Sequence, residues 1–205
     1  MKKNIFKTLC ILMLTLIIDQ PTASADNRFI LNPIEVTAGE TSTLSIELDN
    51  ETTFYGFQAD IFFPIGIEVV RDNSKSDICL SDRFDQSFSL ISNLFENNHL
   101  RLGAFSSAHK AIEGNNGIIL NIKVKVSDSF EGGDLTINNI LCITEDDQDV
   151  KLSDVSTFIY GVILPNELKL NHDSAQLKVG ETISLTATII PENSSDKSVT
   201  WTSSD

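Results

Sequence analysis

Apolar and polar residues alternate from Gly117 to Val126, GIILNIKVKV. Ile118, Leu120, Ile122, Val124 and Val126 fall on one face, and Ile119, Asn121, Lys123 and Lys125 on the other. A period of two held over five apolar positions is the pattern of a β-strand with one buried face; a helix would scatter the same residues around its circumference. The spacing predicts a central strand of a two-sheet sandwich. Leu44, Ile46 and Leu48 alternate with Thr43, Ser45 and Glu47 in a second half-buried strand, after a turn at Thr37-Ala38-Gly39-Glu40. Phe57, Ala59 and Ile61 share one face of Phe54–Phe63, with Gln58, Asp60 and Phe62 on the other. Pro64 and Gly66 separate this stretch from a short run, Ile67–Val70.

Phe29–Val36, Phe84–Ile91, His99–Phe105, Leu135–Ile143 and Val155–Tyr160 read as further strands. Arg71–Asp82 is polar and irregular and reads as a loop, and Ser106–Asn116 has room for a helical turn at Ala108, Ala111 and Ile112. Gly114-Asn115-Asn116-Gly117 and Gly132-Gly133-Asp134 are turns. About nine short strands with regular turn signals, and no long helix, are the signature of an all-β sandwich. Gly161–Asn166, stiffened by Pro165, is a linker. Ser174–Pro191 then holds two strands around Gly180-Glu181, echoing Ile34–Leu48. The last forty or so residues are too few to close a second sandwich, so the chain is expected to be part of a longer protein.

Residues 1–25 form a different kind of segment. Lys2, Lys3 and Lys7 precede an apolar run, Leu9–Ile18, that is too short to span a bilayer. Pro21 and Ala23-Ser24-Ala25 complete the pattern of a cleaved secretory signal peptide, with the mature chain starting near Asp26. No later stretch is apolar enough to insert in a membrane. The full chain of 205 residues carries a net charge of -14, and removing the basic leader makes it more acidic still. Such a surface repels phosphate backbones, which argues against nucleic acid as a partner. Outside the leader the cysteines are Cys79 and Cys142. Their spacing fits no zinc motif. Export permits a Cys79–Cys142 disulfide; two small buried thiols are the alternative.

Two resemblances extend this reading. Leu168 and Leu170, then Leu177-Lys178-Val179-Gly180-Glu181-Thr182, Leu185-Thr186-Ala187-Thr188, Pro191 and Val199-Thr200-Trp201-Thr202-Ser203-Ser204-Asp205 follow the order and spacing of the first half of a bacterial immunoglobulin-like domain of group 2. The segment 162–205 resembles such a domain, incomplete, which implies a partial immunoglobulin-like sandwich, a buried Trp201 and a spacer or adhesive role on a bacterial surface. In the larger unit, 26–161, the carriers are Val36-x-x-Gly39-Glu40-Thr41, Tyr55-Gly56-Phe57-Gln58-Ala59-Asp60-Ile61, Leu100-x-Leu102-Gly103-Ala104-Phe105 and Gly117-x-x-Leu120-x-Ile122-Lys123-Val124-Lys125-Val126. This unit resembles a cohesin or cohesin-like domain of the carbohydrate-binding-module superfamily. The resemblance implies a nine-stranded jelly-roll sandwich that binds and does not catalyse. Known cohesins grip a dockerin with one flat sheet face.

The side chains offer little chemistry. His99, His109 and His172 are far apart and join no Ser-His-Asp or Cys-His pattern, and no Gly-x-Ser-x-Gly elbow is present. Glu145, Asp146, Asp147 and Asp149 supply hard oxygen ligands that suit calcium, but without the glycine and spacing of a twelve-residue calcium loop a solvated turn fits them better. Tyr55, Phe57, Phe62, Phe84 and Phe88 are read mainly as core, although an exposed subset would stack on sugars. Alternation places Gln58, Asp60, His99, Arg101, Thr136 and Asn138 on the polar face of one sheet, the expected binding face. Alanine at Asp60 or Arg101 is expected to weaken binding and leave stability within about 1 kcal/mol. The function expected is that of a secreted or cell-surface, non-catalytic module that binds a dockerin-like protein; the alternative is a carbohydrate-binding or adhesion module for polysaccharide.

Overall fold

The computed structural model describes residues 27–72, 75–96 and 98–203; the leader read over 1–25 lies outside the described residues. In chain order the strands are β1 (Arg28–Ile30), β2 (Ile34–Thr37), β3 (Thr41–Asp49), β4 (Gly56–Phe62), β5 (Ile67–Val69), β6 (Arg71–Asp72), β7 (Lys75–Ser76) and β8 (Ile78–Leu80). They continue as β9 (Phe88–Phe95), β10 (His99–Ser106), β11 (Ile118–Val126), β12 (Gly132–Ile143), β13 (Asp149–Lys151), β14 (Val155–Val162), β15 (Glu167–Leu170) and β16 (Ala187–Ile190). No helix occurs among the described residues.

Two sheets stack into a sandwich. The first runs β1-β3-β11-β5, with β8 also on β11. The second runs β2-β14-β12-β4-β10-β9, with β13 on β12. Between them Leu44, Ile46, Leu48, Ile122 and Val124 of the first sheet meet Phe57, Ala59, Ile61, Leu100, Leu102, Ile137 and Ile159 of the second. These are the inward positions of the alternating segments, so the two-residue period translates directly into the core.

The departures from simple alternation have local causes. Phe29–Val36 is two strands, because Pro33 interrupts the ladder and the chain crosses from β1 in the first sheet to β2 in the second. The pairing of β11 with β3 shifts register between Ile118 and Leu120. This bulge turns Ile119 into the core at 0% exposure and leaves Ile118 40% exposed, the reverse of strict alternation. The polar stretch 71–82 is partly ordered into β6, β7 and β8, since Ile78 and Leu80 straddle exposed Cys79 and pack on the core edge. Residues 106–116 form no helical turn. Ser106 Oγ accepts from the amides of Ala108 and Lys110, an alternative to helical bonding. The strand expected at Phe84 starts later, at Phe88, because Asp85 closes a turn with the amides of Ser87 and Phe88.

Arg83 locks one end of the sandwich. It is 8% exposed. Its Nε donates to the Glu113 carbonyl at 2.6 Å, Nη1 to the carbonyls of Leu48 at 2.9 Å and Gly117 at 3.2 Å, and Nη2 to Asn50 Oδ1 at 2.8 Å and the Gly114 carbonyl at 3.0 Å. Gly114 and Gly117 sit at φ 71° and 108°, a region that favours glycine, which lets the loop turn its carbonyls onto the guanidinium.

Cys79 and Cys142 are free thiols on opposite sheets, and only Cys142 is buried. Burial pushes the Cys142 thiol up to about 12. A thiol reagent added to the native protein is therefore expected to label Cys79 alone, with Cys142 reacting only after denaturant is added; rapid native labelling of both would contradict this burial.

In the C-terminal segment β15 and β16 pair antiparallel. The Lys178–Glu181 turn forms, with Gly180 at φ 90°; of the two strands expected around it within Ser174–Pro191, the second forms in part as β16 and the first stays irregular. Trp201 is 53% exposed, not buried, because among the described residues this segment has one two-stranded sheet and no second layer to close over the ring.

Candidate binding face

The residues singled out for a binding face lie together on the outer face of the second sheet. β4 sits between β10 and β12, and the registers Arg101↔Asp60 and Asp60↔Asn138 align their outward positions. Asp60 is the hub. Arg101 grips it with a two-toothed fork, Nε to Oδ1 at 2.7 Å and Nη2 to Oδ2 at 2.8 Å. His99 Nε2 lies 2.9 Å from Oδ1, and Asn139 Nδ2 donates to Oδ2 at 2.9 Å. An ionised carboxylate only accepts, so His99 carries its proton on Nε2. The bonds from Arg101, opposed by burial and reinforced by His99 and Asn139, hold the Asp60 carboxyl well below the usual carboxylate range.

Asp60 is thus not the free surface acid that alternation implies. It points to the outer face but is 2% exposed, covered by the three side chains that bond it. Asn139 escapes sequence reasoning because a bulge between Asn138 and Leu141 puts it at φ 53°. Gln58 and Arg101 are exposed, and His99, Thr136 and Asn138 are half-buried on the same face. His99 is stacked between Phe62, 4.4 Å away at 11°, and Phe95, 5.0 Å away at 23°.

Beside this network lies an open trough of about 500 Å³. Ile91, Phe95, Gly103, Phe105, Leu141 and Ile143 line it, with Gln58, Asn93, Arg101 and Asp149 as its polar rim. Ile91, Phe95 and Phe105 are 61%, 43% and 45% exposed. Gly103 keeps the floor flat, where a Cβ would come within 3.3 Å of the Phe57 carbonyl. Contiguous exposed apolar surface with a polar rim marks interaction sites. Alternation hides the trough, since Ile91, Phe95 and Phe105 occupy positions that the pattern assigns to solvent.

Of the other singled-out residues, Phe57 and Asp149 reach the trough and the rest lie outside it. Phe57 is core, Phe84 and Phe88 pack on it, and Tyr55 stacks on His109 at 4.6 Å. Glu145, Asp146, Asp147 and Asp149 are exposed on a turn closed by bonds between Thr144 and Gln148. Among the described residues no three His, Cys, Asp or Glu side chains converge as metal ligands.

This arrangement of sheets has known counterparts. A non-cellulosomal cohesin from the archaeon Archaeoglobus fulgidus superposes with a TM-score of 0.54 at 18% identity, covering 66% of this chain and 91% of that one. The sandwich has the cohesin fold. A cohesin in a type I cohesin–dockerin complex from Clostridium thermocellum gives 0.52 at 12% identity, over 68% of this chain and 97% of that one. The cohesin module of a family 33 glycoside hydrolase from Clostridium perfringens gives 0.51 at 17%, over 67% and 96%. After the cohesin-fold sandwich, residues 166–205 match the family model of the bacterial Ig-like domain, group 2. No curated protein sequence matches the chain.

Proposed function

We propose that the chain is an exported, non-catalytic binding module, with a leader at 1–25, a docking sandwich over 26–161 and an Ig-like spacer segment from 162. Its partner is a protein of the dockerin class, seated on the outer face of β12, β4, β10 and β9. The observation that carries this reading is the apolar trough from Ile91 to Ile143, set beside a rigid charged network. A protein interface wants this combination: an apolar centre that excludes water, and polar groups already fixed in place. Four of the similar solved cohesin structures are complexes with dockerins, which suggests the partner class. The signal-peptide pattern supports export.

Carbohydrate binding is the second reading, favoured by one observation. Phe158 and Tyr160 are exposed side by side on β14, 4.8 Å apart. Their planes meet at 61°, however, so they offer no shared flat surface to a sugar ring.

The test sets a panel of dockerin modules beside a glycan array. Wild-type protein is expected to retain a dockerin and no glycan. Phe105→Glu and Leu141→Glu should each weaken that binding at least about tenfold, since each puts a charge into the apolar centre. Glycan binding lost with Phe158→Ala and Tyr160→Ala would overturn the protein reading in favour of sugar.

A further inference from the structure

The second sheet ends on an unusual edge. Among the described residues β9 pairs only with β10, and its other side has no strand neighbour. It spans eight residues, FSLISNLF, with no charge, proline or glycine. The other edges are blunted in the ways proteins use against strand addition. β2 has four residues and carries Glu35; β1, β5, β8 and β13 have three each, and of these only β8 is uncharged.

The free hydrogen-bonding groups follow from the ladder. The Ser107 amide donates to the Ser87 carbonyl, and the register runs on through Ser89↔Phe105, Ile91↔Gly103 and Asn93↔Arg101. In an antiparallel ladder alternate pairs exchange both bonds. Ser89, Ile91 and Asn93 therefore bond to β10, while Leu90, Ser92 and Leu94 direct their amides and carbonyls outward from the sheet.

We propose that this edge pairs with β9 of a second copy of the chain, antiparallel about a two-fold axis at Ile91. The strand is complementary to itself in that register. Ile91 meets Ile91 of the second copy and Ser89 meets Asn93 on the outer side; Phe88 meets Leu94 on the core side. Except for Leu90, which opposes Ser92, apolar residues oppose apolar ones and polar oppose polar, and no charge enters the ladder. This uncharged strip on a chain of net charge -14 is a place where two copies approach with little repulsion. The product is one continuous sheet through both sandwiches, closed by symmetry, with the two troughs on the same side. The pairing shares Ile91 and Asn93 with the rim of the trough but is argued from the free backbone groups of the strand edge, so it does not need the dockerin reading.

Sedimentation and amide exchange on the chain lacking only its leader test the pairing. A monomer–dimer equilibrium is expected between about 10 μM and 1 mM, strengthened by added salt. The amides of Leu90, Ser92 and Leu94 gain protection as concentration rises, while those of Ile91 and Asn93 are protected throughout. Ser92→Pro removes no bond to β10, and Ser92→Lys keeps every backbone group; both should leave a folded monomer that still binds its dockerin. A monomer at all concentrations with exposed Leu90, Ser92 and Leu94 amides would overturn the proposal. So would a dimer untouched by both variants, an open-ended polymer, or protection that appears only with an added extended peptide.

Discussion

Replacing Arg83 by Met is expected to destabilise the protein by at least about 3 kcal/mol, seen as a lower urea midpoint with an unchanged slope. The guanidinium closes five hydrogen bonds to four carbonyls and an amide oxygen. Methionine matches much of the volume and supplies no donor, so these acceptors lose their partner in a place that water reaches poorly. Lysine should recover a small part, having three donors on one point instead of a planar fork. The loss should be structural first: beside the backbone bonds from the Leu48 amide to the Gly117 carbonyl and from the Asn50 amide to the Asn115 carbonyl, this residue ties the end of β3 to the 113–117 loop. A Met variant within 1 kcal/mol of wild type would mean that water satisfies those carbonyls and that Arg83 is dispensable.

The second large effect belongs to Asp60. Alanine there is expected to cost about 2–3 kcal/mol and to weaken partner binding, because Arg101, His99 and Asn139 lose the acceptor that fixes them. This replaces the expectation, natural for a surface acid, of a change within about 1 kcal/mol. The pH dependence has a definite sign. The Asp60 carboxyl titrates lower in the folded protein than in the unfolded chain, so its contribution is complete above about pH 4 and is lost as pH falls below that. The stability gap between wild type and Asp60→Ala should be constant from pH 7 to about pH 5 and close steadily in more acid solution. A gap that is already absent at pH 7, or that widens in acid, would contradict the network.

These two residues also mark the limit of what the sequence discloses. Period-two alternation located the inward faces of β3, β4, β10 and most of β11, and hence the sandwich, because burial of one sheet face is imposed on every second residue. It failed where a bulge shifts that count by one: at Ile118–Ile119, which exchange places, and at Asn139, which reaches Asp60 from a left-handed backbone. Arg83 lay unnoticed in a polar stretch, since its partners are main-chain carbonyls that no side-chain pattern encodes. The face itself was legible as Gln58, Asp60, His99, Arg101, Thr136 and Asn138. Its apolar half was not, because alternation assigns Ile91, Phe95 and Phe105 to solvent without saying that two neighbouring strands gather them into one trough.

Amide protection on the chain saturated with the dockerin it retains gives the most direct reading of where a partner sits. The account predicts slowed exchange and shielding confined to β12, β4, β10 and β9, centred on Gly103, Phe105 and Leu141, with the outer face of β3 and β11 unchanged. Protection centred on Ser45, Asn121 and Lys123 of that opposite sheet, with the trough unaffected, would contradict it.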